Sequence, residues 1–108
     1  MDNISPFLAI QDVERQIKAL LRILDMDMLD TEQRKATQAL KRLAIDARID
    51  IRDYELSETR EEQLGKAKDA KKQLAKLNRA ILAVGLVFGP ADVAQLSATI
   101  EHINGRLI

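Results

Sequence analysis

Three features of this 108-residue sequence predict an all-α protein. Leu, Ile and Ala dominate its apolar residues and Lys, Arg, Glu and Gln its polar ones, and all are good helix formers. Apolar residues recur three and four positions apart along four stretches, the spacing of one helix face. Outright breakers are few: the prolines are Pro6 and Pro90, and the glycines are Gly65, Gly85, Gly89 and Gly105.

The first helix should open at Ser5-Pro6, a capping residue followed by proline at the first helical position. Its stripe is Ile10, Val13, Ile17, Leu20, Leu21, Leu24 and Met28, fading in "DMDMLD". Asp30 or Thr31 can cap the second, and Gln33 three residues after Asp30 makes a capping box. That stripe runs Ala36, Leu40, Leu43, Ala47, Ile51, Tyr54. The third is the most regular: Leu64, Ala67, Ala70, Leu74, Leu77, Ile81, Val84 and Phe88, ended by Gly85 and Gly89-Pro90. The fourth starts at Pro90 with Asp92 in its first turn, where an acid suits the helix dipole. It carries Val93, Leu96, Ile100, Ile103 and Leu107, and Asn104-Gly105 should fray its end.

The junction between the second and third helices has no Gly, Pro or Asn from Asp30 to Leu64. Yet "SETREEQ" at 57–63 is seven polar residues in a row. A continuous helix would leave about two turns there without core contact. A new start would be capped by Ser57 or Thr59, with Glu62 completing a box and Glu58 and Glu61 enriching the first turn. A break near 55–59 gives an up-down four-helix bundle as a single domain over 1–108. The alternative is one long helix from about 31 to 85 with two short helices folded back on it.

Composition excludes several classes. An apolar content of 46% supports a packed core and argues against disorder. Formal net charge is zero, without the basic excess of a typical nucleic-acid binder. There is no cysteine, which removes disulfides and thiolate metal sites. "AILAVGLVF" at 80–88 is too short to span a bilayer. Met1-Asp2-Asn3 has no basic n-region and leads into no long apolar run, so a cytoplasmic protein is expected.

No constellation of catalytic residues stands out, and neither an enzyme nor a cofactor is expected. His102, the only histidine, lies about 180° from Val93 on the fourth helix and should be exposed. Thr99 sits three residues before it, where a carboxylate-bridged di-iron bundle needs Glu. Asp46, Asp50 and Asp53 share a helix face, and Glu58 follows; together they are the only basis for a Mg²⁺-dependent nucleotide hydrolase, since a hard cation wants several oxygens. The closest paired pattern, Asp27-x-x-Asp30 with Asp50-x-x-Asp53, contains no Glu and starts at a helix end. Residues 65–79 line up Lys68, Lys72, Lys76 and Arg79 as a stripe that could meet phosphates. The stripe lacks aromatics for base stacking, so nucleic acid is not the expected partner. Residues 46–62 hold seven acids against three bases, and 63–79 six bases against one acid. The two segments complement each other.

"IDARIDIRDYEL" at 45–56 is apolar on two sides. With Leu43 at 0°, Ala47, Ile51 and Tyr54 fall within about 80°, while Ile45, Ile49 and Leu56 fall near 200–240°. An outer helix of a monomeric bundle needs one apolar face. The second face suggests a homodimer in which Ile45, Ile49 and Leu56 meet their copies, with acidic 46–62 of one chain antiparallel to basic 63–79 of the other. The functional expectation is a small structural or interaction module that self-associates and presents a surface to a protein partner. A polyanion-binding accessory protein is the first alternative and the Mg²⁺-dependent hydrolase the second.

Overall fold

A computed structural model describes residues 5–108, apart from the side chain of Leu86; the Met1-Asp2-Asn3 opening lies outside the described residues. Ser5 accepts from the Leu8 amide at 3.2 Å and starts α1, Pro6–Ile23. A 3₁₀ turn, Met26–Met28, follows. The reciprocal capping box of Asp30 and Gln33 then opens α2, Thr31–Glu55, with bonds of 2.8 and 3.1 Å. The chain leaves helix at 56–59, and α3, Arg60–Ala83, begins where Thr59 Oγ1 accepts from the Glu62 amide at 3.1 Å. The long-helix alternative is therefore wrong: seven polar residues have no core to cover, and the cap at Thr59 is the better use of them. The box there is only half made, because the Glu62 carboxylate accepts from the Glu58 amide, not from Thr59. The first-turn acids are Glu61 and Glu62, while Glu58 lies ahead of the cap. A single turn, α4 (Gly85–Phe88), leads through Gly89 into α5, Pro90–Arg106.

The helices close into a ring in which α1 neighbours α2 and α5, and α3 neighbours α2 and α5. Each adjacent pair is antiparallel. Phe7 and Glu14 meet Glu55 and Arg48 across α1/α2. Lys66 meets Asp53 across α2/α3, and Asn78 meets Ser97 across α3/α5. Gln16 and Leu20 share a groove with Leu96 and Asp92 across α1/α5. This is the up-down four-helix arrangement, 48 × 26 × 17 Å in extent.

The core is where the stripes point. Ile10, Ile17, Leu40, Ile51, Leu77, Ile81 and Ile103 are wholly buried. Ala44 and Ala47 on α2 and Ala67 and Ala70 on α3 are buried too, and their small side chains allow these two helices to approach closely. Buried hydroxyls are satisfied locally: Thr37 and Thr99 donate to the carbonyls of Gln33 and Gln95.

Four local expectations fail, each for a tertiary reason. Met28 is exposed and Leu29 buried in its place, because the 3₁₀ turn after Ile23 breaks the α1 phase. Leu64 is 46% exposed: it sits on the first turns of α3, beyond the reach of the shorter α5. Asn104 and Gly105 do not fray α5, which runs to Arg106 with Ile103 and Leu107 packed on either side of them. His102 is half-buried, not exposed. It follows Gln95 by two turns on the side of α5 that faces α1, and its Nε2 is buried without a hydrogen-bond partner.

Candidate functional site

The surface of the bundle offers three features: an apolar strip on α2, a basic ridge on α3 and a set of open grooves between helices. Among the described residues, no three His, Cys, Asp or Glu side chains gather as a metal-ligating group, and no helix is long and apolar enough to cross a membrane.

The carboxylates do not converge. Asp30 caps the start of α2 and Asp27 lies in the 3₁₀ turn before it. Asp50 and Asp53 lie near the other end of α2, about 30 Å away at 1.5 Å per residue. Asp46 stays on that same flank of α2, and Glu58 lies in the turn before α3. The α2/α3 seam instead sets Lys66 against Asp53, Nζ to Oδ2 3.9 Å, with Asp50 and Asp69 alongside. Burial pushes the Asp50 carboxyl above its ordinary value, Asp69 adds to the rise, and Lys66 opposes it. A lysine already occupies the position where a cation would be useful.

The basic stripe is a ridge. Lys68, Lys72, Lys76 and Arg79 are all exposed on the outer side of α3. The complementary charge of 46–62 reaches α3 through Lys66, and none of the four ridge cations has an ion pair among the described residues.

The apolar strip lies on the outward side of α2. Leu56 is 70% exposed, Ile49 is 40% exposed and Ile45 is half-buried. Phe7 of α1, with Arg48, Ile49 and Arg52, lines a shallow depression of about 70 Å³ beside it. On the α1 flank of the strip, Arg48 reaches across to Glu14, Nε to Oε1 3.6 Å. Glu14 is a charged residue inside the α1/α2 interface, and neither Glu14 Oε1 nor Arg48 Nε has a hydrogen-bond partner. The α3 flank carries Asp46 and Asp53.

Further along α1/α2, Lys18, Leu21, Arg22 and Lys41 line an open groove of about 220 Å³. Residue-by-residue reading missed it because its three cations come from two helices. The signal was present: 15–24 and 33–45 contain seven bases between them and no acid. A wider groove of about 310 Å³ lies between α3 and α5, with Leu74, Ala75 and Ile100 inside and Lys71, Asn78, Glu101 and Asn104 around them. No protein-family model, curated protein or solved structure matches this chain.

Proposed function

We propose that the chain is a small structural or interaction module of the cytoplasm, without catalytic activity, that self-associates through the outward side of α2 and offers its surface to a protein partner. One observation carries this reading. The four helices fill their own core, and Ile45, Ile49 and Leu56 are still left on the far side of α2. Phe7 of α1 lies beside Ile49 at the edge of this strip.

Charge favours one orientation of such a dimer. Arg48 and Arg52, with Glu55 beside them, lie on the α1 side of the strip, and Asp46 and Asp53 on its α3 side. A two-fold axis along α2 makes the helices parallel and sets the basic flank of each copy on the acidic flank of the other. An axis across α2 would make them antiparallel and set arginines against arginines.

Burying a whole Ile or Leu side chain stabilises by roughly 1.5–3 kcal/mol. The exposed fractions leave little more than one whole side chain per copy still to bury, about 2–4 kcal/mol. Two copies together offset only the lower end of the ~4–15 kcal/mol cost of association. At most about 4 kcal/mol is left over, so the dimer is weak, with Kd on the order of 1 mM. Sedimentation equilibrium of the wild type should show a mass rising with concentration, and Ile49→Glu should abolish the rise while leaving the helical circular dichroism intact. A wild type that stays monomeric at millimolar concentration, or an Ile49→Glu chain that unfolds, defeats the proposal.

A second reading, contact between a polyanion and α3, is favoured by the unpaired exposure of Lys68, Lys72, Lys76 and Arg79. It would be purely electrostatic and should vanish by physiological salt.

A further inference from the structure

We propose that the α1/α2 groove formed by Lys18, Arg22 and Lys41 is a binding site for a compact phosphate-class anion, a phosphate or diphosphate group free in solution. The inference does not rest on the self-association of α2.

Convergence without neutralisation is the first argument. Lys18 and Arg22 are one turn apart on α1, and Lys41 faces them from antiparallel α2. Like charges at this spacing repel. No carboxylate lines the groove, and none of the three cations has an ion pair among the described residues. Four other cations of these two helices do have partners. Arg15 pairs with Asp12, Arg48 with Glu14 and Arg52 with Asp53. Arg34 donates to the carbonyls of Met26 and Leu29. Lys35 and Arg42 of α2 are also without an ion pair among the described residues, but neither lines the groove; Lys18, Arg22 and Lys41 are the unpaired cations that share a concavity.

Shape and lining select the ligand. Phosphate oxygens suit this set: a guanidinium can fork onto two of them while two ammonium groups act as point charges. The groove of about 220 Å³ has Leu21 as its one apolar residue and no aromatic, so a nucleobase has nothing to stack on. A flat anionic bilayer would meet an exposed ridge better than a groove, and the ridge on α3 lies on the helix diagonal to α1. The ligand is thus recognised by charge and size alone.

Pyrophosphate and inorganic phosphate should be titrated into the full chain at constant ionic strength, with sodium chloride and sodium sulfate as controls. Backbone amide shifts and the melting temperature are the readouts. The expected result is saturable pyrophosphate binding with Kd below about 1 mM and amide shifts centred on residues 18, 22 and 41. Lys18→Gln/Lys41→Gln should weaken it at least about tenfold while staying folded, and Arg22→Lys should weaken it less, since it keeps charge and loses the fork. Lys72→Gln/Lys76→Gln on α3 should leave it unchanged. An equal response to chloride or sulfate, or full retention in the Lys18/Lys41 variant, overturns the proposal. So does retention on phosphatidylserine vesicles or a single-stranded oligonucleotide that needs Lys18 and Lys41 while pyrophosphate fails to saturate.

Discussion

Replacing Arg48 by Met tests the least forgiving contact in the bundle. Glu14 retains 8% exposure inside the α1/α2 interface, and Arg48 is the cation facing it. Breaking a fully buried ion pair costs about 3–5 kcal/mol, because one charge is left in the interior without compensation. Here the Arg48 side chain keeps 35% of its exposure and the closest approach is 3.6 Å, so water already screens the pair. The expected loss for Arg48→Met is about 2–3 kcal/mol, with the aliphatic stem of Met preserving the packing. For a chain of this length that lowers Tm by roughly 10 °C. The informative partner is the double variant Glu14→Leu/Arg48→Met. It removes two atoms that have no hydrogen-bond partner and the desolvation of both charges, so it should be at least as stable as wild type. Urea unfolding of all four corners of the cycle, with m held constant, provides the numbers. An Arg48→Met variant within about 0.5 kcal/mol of wild type, or a double variant as unstable as the single, would refute the reasoning.

Asp50 has its pKa raised by burial and by Asp69, so the folded chain holds that proton more tightly than the unfolded chain does. The ionised carboxylate therefore costs stability above the folded pKa, and the cost disappears as pH falls below the unfolded value. Asp50→Asn should raise Tm at pH 7 and not at pH 3. Gly89 has φ +92° and ψ 148°, a region open to glycine alone, and a Cβ there would come no closer than 4.0 Å to Asp92. Gly89→Ala should cost about 1–3 kcal/mol from backbone strain alone. Gly105→Ala, inside α5 with nothing within 4 Å of the added carbon, should stabilise by about 0.5–1 kcal/mol, and both are read by thermal melts. Millimolar Mg²⁺ should leave Tm unchanged; an upshift abolished by Asp50→Asn would instead restore the hydrolase reading.

Helix starts and the central break were legible in the sequence because their causes are local. Ser5 with Pro6, Asp30 with Gln33, and Thr59 with Glu62 act over three residues, and each caps the helix expected of it. The inward stripes were legible for the same reason, since Leu40, Ala47, Ile51 and Tyr54 repeat at the period of one helix. The outward strip of Ile45, Ile49 and Leu56 came from that period as well. What depended on more than one helix was not readable. Whether Leu64 is covered depends on how far α5 extends along α3, and the partial burial of His102 depends on what packs beside α5. The charge complement of 46–62 and 63–79 looked like a zipper, but it narrows to one ion pair, Lys66 with Asp53, because α3 turns Lys68, Lys72, Lys76 and Arg79 outward and Lys71 toward α5. The Lys18, Arg22 and Lys41 groove and the Glu14–Arg48 pair join residues more than 18 positions apart in the chain. Local periodicity sets which side of a helix is apolar, while only the antiparallel register of α1 against α2 decides which charges meet across the seam.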